Sequence, residues 1–284
     1  MNTAALINEA FPDLKIRSLK KIGNGKACDV FLANNEIVFK IPLVPASPYS
    51  CLQVEYNALT ALYGKTSMAI PQPLLFGNLP DGRLILGMSY LPGLQFTQEL
   101  YESLSQPNKD IVFADIGEFL YQIHVAGNPK VDGIPTSELS QNIGYFHKNY
   151  QAIVMNKLTD TEQQRIDDIY NKYLTIIKST TVPLVLNHGD IHFWNMNFNP
   201  ATNRICGFYD FGEANYADPM EDMCYYWPFQ VEKILQNYPA KLSETTPHRH
   251  LFYCISNIIS EAYAELTNTG KSDYINYLKQ VISK

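Results

Sequence analysis

The chain has 284 residues, 46% of them hydrophobic and 18% charged, with 22 Lys and Arg against 28 Asp and Glu for a net charge of −6. That length fits about two globular domains, and the composition excludes a disordered chain. The acidic balance argues against broad binding to a nucleic-acid backbone, which needs a basic face, and is compatible with a cationic small molecule.

From Lys15 to about Tyr90 the chain reads as strands around one helix. Lys15 to Ile22 is strand-like and runs into Gly23-Asn24-Gly25. Ala27 to Ala33 and Glu36 to Ile41 are strands joined at Asn34-Asn35, a dipeptide suited to a tight turn. Pro42, Pro45 and Pro48 then forbid regular structure. Ser50 with Gln53 has capping-box spacing and predicts a helix through Tyr63. Ile70 to Phe76 and Arg83 to Tyr90 are strands joined through Asp81-Gly82. Pro92-Gly93 marks the boundary between a first domain, 1–93, and a second, 94–284.

Helical periodicity dominates between about 95 and 180, as in Ile111 to His124 and Thr161 to Lys178. Leu184 to Leu186 is a short strand. Met196 to Phe198 and Arg204 to Tyr209 form a hairpin around Asn199-Pro200. From Asp222 to the end the pattern is helical again.

The cysteines Cys28, Cys51, Cys206, Cys224 and Cys254 are odd in number, widely spaced and without C-x-x-C, which argues against a disulfide framework or a thiolate zinc site. The N-terminal stretch has no basic region and meets Glu9, unlike a signal peptide. The apolar run Leu251 to Ile259 is far short of the ~20 residues that span a bilayer. The expectation is a reduced cytoplasmic protein, a monomer or weak dimer, with no membrane or nucleic-acid partner.

The first half has the parts of a phosphate clamp. Gly23 and Gly25 lie between two strands, where backbone can approach a ligand closely; alone, such a pair is more often a plain hairpin turn. Lys40 sits mid-strand, and if Val38 faces the core so does Lys40, because side chains alternate. An inward lysine needs a partner. On the helix, Leu52, Glu55, Leu59 and Leu62 share a face, so Glu55 is a carboxylate inside an apolar stripe.

The second half carries Asn187-His188-Gly189-Asp190-Ile191-His192-Phe193-Trp194-Asn195, then the hairpin, then Tyr209-Asp210-Phe211-Gly212. A hairpin brings Asn195 and Asp210, at its two ends, to one sheet edge. Both offer oxygen, as Mg²⁺ prefers. Asp190 lies in the preceding loop and is left to orient a substrate hydroxyl and take its proton. Two hard ligands, a base, a lysine and a glycine loop are what phosphoryl transfer requires.

His188-Gly189-Asp190-x-His192-x-x-Asn195 followed by Asp210-Phe211-Gly212 resembles the aminoglycoside phosphotransferase family of small-molecule kinases. Met88-Ser89-Tyr90-Leu91-Pro92-Gly93 is similar to that family's lobe connector, Phe119-Leu120-x-x-Ile123-His124 to its helix ahead of the catalytic segment, and Asp218-Pro219-x-x-Asp222 to its closing motif. The resemblance implies an α+β, bilobal, protein-kinase-like fold: a small antiparallel-sheet lobe with one helix, and a larger, mostly helical lobe. It implies Asp190 as catalytic base, Asn195 and Asp210 as magnesium ligands, and Lys40 on the α- and β-phosphates and paired with Glu55. Gly23 to Lys26 would cover the phosphates, and backbone groups of Ser89 and Leu91 would meet the purine of ATP or GTP. His188 would support the loop, and Asp222 would hold it through backbone amides.

The chain departs from protein kinases at Gly189, where they usually carry arginine, and the short Asp210–Asp218 interval leaves no room for a long activation segment. The expected acceptor is therefore a hydroxyl on a small molecule. An aminoglycoside-type amino sugar is favoured by the charge; macrolide, choline, homoserine, methylthioribose and fructosamine kinases, and a catalytically silent nucleotide binder, stay open. Glu261 and Glu265, one turn apart, and Glu221 could take an ammonium group; the alternative is an exposed acidic face. Tyr225, Tyr226, Trp227 and Phe229 could wall a pocket or pack in the core. Gly189-Asp190-Ile191-His192 also fits a fragment of a metallophosphoesterase signature, but His124 and His147 are isolated, and His248 and His250 read as a solvated loop.

Overall fold

A computed structural model describes residues 3–24, 28–43, 51–153, 156–239 and 243–283. Gly25, Lys26, Ala27, Pro45, Pro48 and Ser50 lie outside the described residues.

The elements in chain order are α1 (Thr3–Ala10), β1 (Leu19–Asn24), β2 (Cys28–Ala33), β3 (Ile37–Pro42), α2 (Cys51–Leu62), β4 (Pro73–Asn78), β5 (Leu84–Ser89), β6 (Leu94–Gln95), α3 (Gln98–Ser103) and α4 (Gln106–Ala126). There follow α5 (Leu139–Ile153), α6 (Asp160–Ser179), β7 (Val185–Asn187), a 3₁₀ turn (Phe193–Asn195), β8 (Met196–Asn199), β9 (Arg204–Phe208), β10 (Asn215–Ala217), α7 (Pro228–Gln236), α8 (Thr246–Thr269) and α9 (Asp273–Ile282). They pack as two units. The first holds Met1–Val112, Val125–Pro135 and His188–Ala214; the second holds Phe113–His124, Thr136–Asn187 and Asn215–Lys284. This partition differs from a cut at residue 93, because the ribbon β8–β9 packs within the first unit.

The first unit is built on an antiparallel sheet in the order β1-β2-β3-β5-β4. Asn34 and Asn35 both have positive φ, 55° and 57°, as the tight turn between β2 and β3 requires. Phe39, Ile41, Ala33 and Ile85 bury one face against Leu6 and Ile7 of α1. Each large apolar side chain so buried contributes about 1.5–3 kcal/mol. Sequence periodicity did not predict α1, and β1 begins at Leu19 rather than Lys15. The opposite face meets α2, where Tyr56 stacks on Phe76 with centroids 4.6 Å apart.

This parity corrects one expectation. Phe39 and Ile41, not Val38, enter the apolar cluster. Val38 is half-buried and shares its face with Lys40, as alternation demands. The smaller sheet of this unit runs β6-β8-β9. Gly93, at φ 135°, permits the close passage of the connector, since a Cβ there would meet Asn197 Cβ at 2.9 Å.

The second unit is helical, with a two-stranded β7–β10 sheet. Phe252 of α8 is its centre: Tyr173 stacks on it at 3.7 Å, and Phe146 lies 5.4 Å away. α6 starts with a full capping box, Thr159 with Glu162. His248 to His250 do not form a solvated loop; they lie in the first turns of α8. There Arg249 is buried and pairs with buried Asp218, and His250 bonds the carbonyls of Met223 and Tyr226 at 3.0 and 3.1 Å. The segment 222–227 is turn rather than helix. Among the described residues no helix is long and apolar enough to cross a membrane.

Candidate active site

Lys40 and Glu55 meet as the sequence predicts. Lys40 Nζ donates to both Glu55 oxygens at 2.8 Å and to Asp210 Oδ1 at 2.7 Å. Glu55 is 1% exposed, so its charge has little help from water. Burial alone would lower the Lys40 pKa, but the Glu55 and Asp210 carboxylates outweigh it and hold the ammonium above its ordinary range. Burial works to raise Asp210, and the Lys40 ammonium outweighs it, so the carboxyl lies below the usual range.

The ribbon delivers Asp210 to that point. β8 pairs with β9, and Tyr209 N–H donates to Asn195 O at 3.1 Å, which ties the two ribbon ends together. Asp210 itself has φ 70°, a left-handed conformation that Asp tolerates better than most residues and that is concentrated at functional sites.

The loop before the ribbon is fixed from three directions. His188 is fully buried; its Nδ1 accepts the Asp190 N–H at 3.3 Å, and its Nε2 bonds the Tyr209 carbonyl at 3.2 Å. One neutral tautomer, with hydrogen on Nε2, satisfies both contacts. Gly189 has φ 84°, and a Cβ there would fall 2.1 Å from the Glu213 carbonyl oxygen, so only glycine fits. Asn195 Nδ2 donates to the Asp190 carbonyl at 2.8 Å and to Asp190 Oδ2 at 2.9 Å. That commits the amide nitrogen and turns Oδ1 the other way.

Two neighbours of Asp190 were given no role by sequence. His192 Nε2 lies 3.3 Å from Asp190 Oδ1. Glu213, three residues past Asp210, has a carboxyl pushed up by burial and by the like charges of Asp190 and Asp210. A histidine two residues after Asp190 and an acid just after Asp-Phe-Gly were the available signals.

The hinge residues are partly engaged. Ser89 N–H donates to Gln72 O at 2.9 Å, its hydroxyl accepts from Gln72 N–H at 2.8 Å, and the Leu91 carbonyl accepts from Asn197 at 2.9 Å. Gly23 pairs with Val30 at the end of β1.

Asp222, Glu221, Tyr225, Trp227, Glu261 and Glu265 belong to the second unit. Asp222 is 1% exposed and meets His124 Nε2 at 3.3 Å, and His124 Nδ1 meets the Tyr238 hydroxyl at 2.8 Å. Glu221, Tyr225, Trp227, Glu261 and Glu265 are half-buried, so the two glutamates of α8 are not a fully exposed acidic face. Glu265 accepts the Tyr274 N–H at 3.1 Å, at the start of α9, and Trp227 packs edge-on against Tyr277 at 4.8 Å. The aromatic run divides: Tyr226 is buried and Phe229 is 59% exposed.

Among the described residues no group of three or more His, Cys, Asp or Glu could hold a metal ion. The donor set here is different: one amide oxygen and one carboxylate kept ionised by Lys40. That set fits Mg²⁺, which takes few protein ligands and completes its shell with phosphate and water oxygens.

A phosphotransferase enzyme family model matches residues 18–250. The GDP and kanamycin complex of APH(2″)-IIIa superposes with a TM-score of 0.78 at 20% identity, covering 99% of this chain and 96% of that one. The streptomycin and ATP complex of APH(2″)-IIa gives 0.68 at 22% identity, covering 100% and 97%. Macrolide 2′-phosphotransferase from Brachybacterium faecium gives 0.68 at 16% identity, covering 99% and 98%. Fold and family model together define a phosphotransferase enzyme. The chain belongs to the aminoglycoside phosphotransferase family, small-molecule kinases built on the protein-kinase-like fold.

Proposed function

We propose that this chain transfers the γ-phosphate of ATP or GTP to a hydroxyl of a small molecule, an aminoglycoside-type amino sugar first among the acceptors. The observation that carries this reading is the gathering of Lys40, Glu55 and Asp210 at one ion-paired centre, tied through the Tyr209–Asn195 backbone bond to Asp190.

Lys40 neutralises the α- and β-phosphates, and Glu55 holds its ammonium in place. Asn195 Oδ1 and Asp210 would hold Mg²⁺, which neutralises charge on the phosphates when bound. Asp190 accepts the proton of the acceptor hydroxyl as that oxygen attacks phosphorus. The Ser89 carbonyl and Leu91 N–H are the hinge groups not used by the bonds described above, and they suit an acceptor–donor edge of a purine. Gly23 covers the phosphates from the end of β1. His188 supports the loop.

The choice of acceptor rests on the net charge of −6 and on the half-buried carboxylates Glu221, Glu261 and Glu265 and aromatics Tyr225 and Trp227 of the second unit. Kanamycin and streptomycin bound in structural relatives, and a macrolide phosphotransferase among them, support an antibiotic-like acceptor, and GDP and ATP among their ligands keep both donors in view. A coupled phosphorylation screen over amino sugars, macrolides and amino alcohols, with both nucleotides and Mg²⁺, tests the reading. Turnover on an amino sugar supports it; turnover on none of these acceptors overturns it.

A further inference from the structure

His192 follows Asp190 by two residues, and its imidazole turns back to it: Nε2 lies 3.3 Å from Asp190 Oδ1. The other carboxylate oxygen, Oδ2, accepts from Asn195 Nδ2 at 2.9 Å. The two contacts fall on different oxygens of one carboxylate, and all three residues lie in the first unit.

The backbone prepares the contact. His192 N–H donates to the Asp190 carbonyl at 3.0 Å, and the His192 carbonyl accepts the Asn195 N–H at 3.0 Å, so the residue is fixed on both sides. Its ring meets the Trp194 ring edge-on, with centroids 5.6 Å apart and planes at 76°. Trp194 is held in turn by its carbonyl, which accepts from Gln95 Nε2 at 3.1 Å and from the Tyr209 hydroxyl at 2.7 Å.

A carboxylate needs such a second tether. The terminal torsion of aspartate is broad and roughly two-fold, so one hydrogen bond leaves the group able to pivot about the bonded oxygen. A donor on the other oxygen fixes its plane. Acceptor capacity remains, because an ionised carboxylate offers about four lone-pair sites and two donors take two of them. An imidazole donates from Nε2 as the neutral tautomer with hydrogen there or as the imidazolium, so the contact does not require a charged ring. The two side chains are 30% and 29% exposed, and a pair so open to water adds only about 0–1 kcal/mol to stability. Its value is in direction.

We propose that His192 is a positioning residue: by donating from Nε2 to Asp190 Oδ1, opposite Asn195 on Oδ2, it sets the carboxylate plane in which Asp190 takes the acceptor proton. This rests on the role of Asp190 in the proposed function. A misplacement of about 1 Å can lower a rate by about 10²-fold, and loss of one tether of two should cost about 10-fold.

The test measures kcat, KM and melting temperature for His192→Ala, His192→Gln and His192→Phe, each alone and combined with Asp190→Ala. Glutamine keeps an N–H at about the reach of Nε2 without the ring. Phenylalanine keeps a ring against Trp194 without the donor. His192→Ala and His192→Phe should lower kcat about 10-fold with both KM values within about 3-fold, and His192→Gln should recover most of that loss. All three should melt within about 3 °C of the wild type. In the Asp190→Ala background none should change the residual rate more than about 2-fold, because the group being positioned is gone. Recovery by phenylalanine rather than glutamine would make His192 a packing residue and overturn the proposal, as would equal losses with and without Asp190. If Asp190→Ala loses turnover while the single His192 variants keep it, the proposal falls and the function stands. If the wild type phosphorylates nothing, the function reading fails and the positioning role with it. The imidazole ¹⁵N spectrum decides the contact without turnover: hydrogen on Nε2, with that resonance shifted in Asp190→Ala, is expected, and a resonance indifferent to that substitution overturns it.

Discussion

Lys40 Nζ sits 2.8 Å from both carboxylate oxygens of Glu55 and 2.7 Å from Asp210 Oδ1.

 Glu55 is 15 residues from Lys40 in the chain and Asp210 is 170, so one ammonium joins a local partner to a distant one. Removing Lys40 leaves a buried carboxylate without its cation. Breaking a buried pair in this way costs about 3–5 kcal/mol, less whatever Glu55 recovers by taking up a proton. Lys40→Ala should therefore unfold at clearly lower urea concentration than the wild type and turn over slowly.

That cost should depend on pH. Burial, with Lys40 opposing it, already holds the Glu55 carboxyl above its ordinary range, and loss of Lys40 removes the opposition. A raised carboxyl contributes stability that is fully present below its unfolded pKa of about 4.3 and is lost as pH rises through the folded value. The stability gap between wild type and Lys40→Ala should widen from pH 5 to pH 8. Urea titrations at both pH values check this; a gap that narrows would contradict it.

Asp190→Ala should lower turnover by at least ~10², the scale of losing a general base. Nucleotide affinity, measured by calorimetry, should stay within a few fold, because the role proposed for Asp190 is toward the acceptor hydroxyl. An unchanged rate would remove Asp190 from its role.

Gly189→Ala and Gly64→Ala separate strain from collision. Both glycines have positive φ, 84° and 76°, but a Cβ at Gly64 meets nothing within 4 Å, whereas at Gly189 it meets the Glu213 carbonyl. Gly64→Ala should cost about 1–2 kcal/mol from the left-handed backbone alone. Gly189→Ala should cost more than that and abolish turnover, since the loop carrying Asp190 has to shift. Thermal melting of the two variants, side by side with assays, decides this.

Arg249→Leu should destabilise the second unit by about 3–5 kcal/mol, because Asp218 is 0% exposed and loses its cation. Asp218→Asn added to Arg249→Leu should recover part of the loss, and a double-mutant cycle in urea measures the coupling.

Much of the first unit was legible because its signals are local. Asn34-Asn35 specifies its own turn, and the hairpin rule alone placed Asn195 and Asp210 at one edge. The pairing of Lys40 with Glu55 followed from one charge in a strand and one in an apolar helical stripe. Several of the failures share a cause: the deciding partner is distant in sequence. The run Ile37-Val38-Phe39-Lys40-Ile41 is apolar at nearly every position, so parity could not say which face meets α1. Arg249 looks solvated until Asp218, 31 residues earlier, is seen to bury it. α1 shows almost no pattern, since only Leu6 and Ile7 are buried in it. His192 and Glu213 were missed because their relevance is a distance to Asp190, which spacing does not print.

A crystal structure with a non-hydrolysable ATP or GTP analogue and Mg²⁺ tests the central claim most directly. The account predicts an ion ligated by Asn195 Oδ1 and Asp210, phosphates against Lys40, and the Asp190 carboxylate open to the acceptor side. An ion bound elsewhere, or phosphates seated away from Lys40, would contradict it.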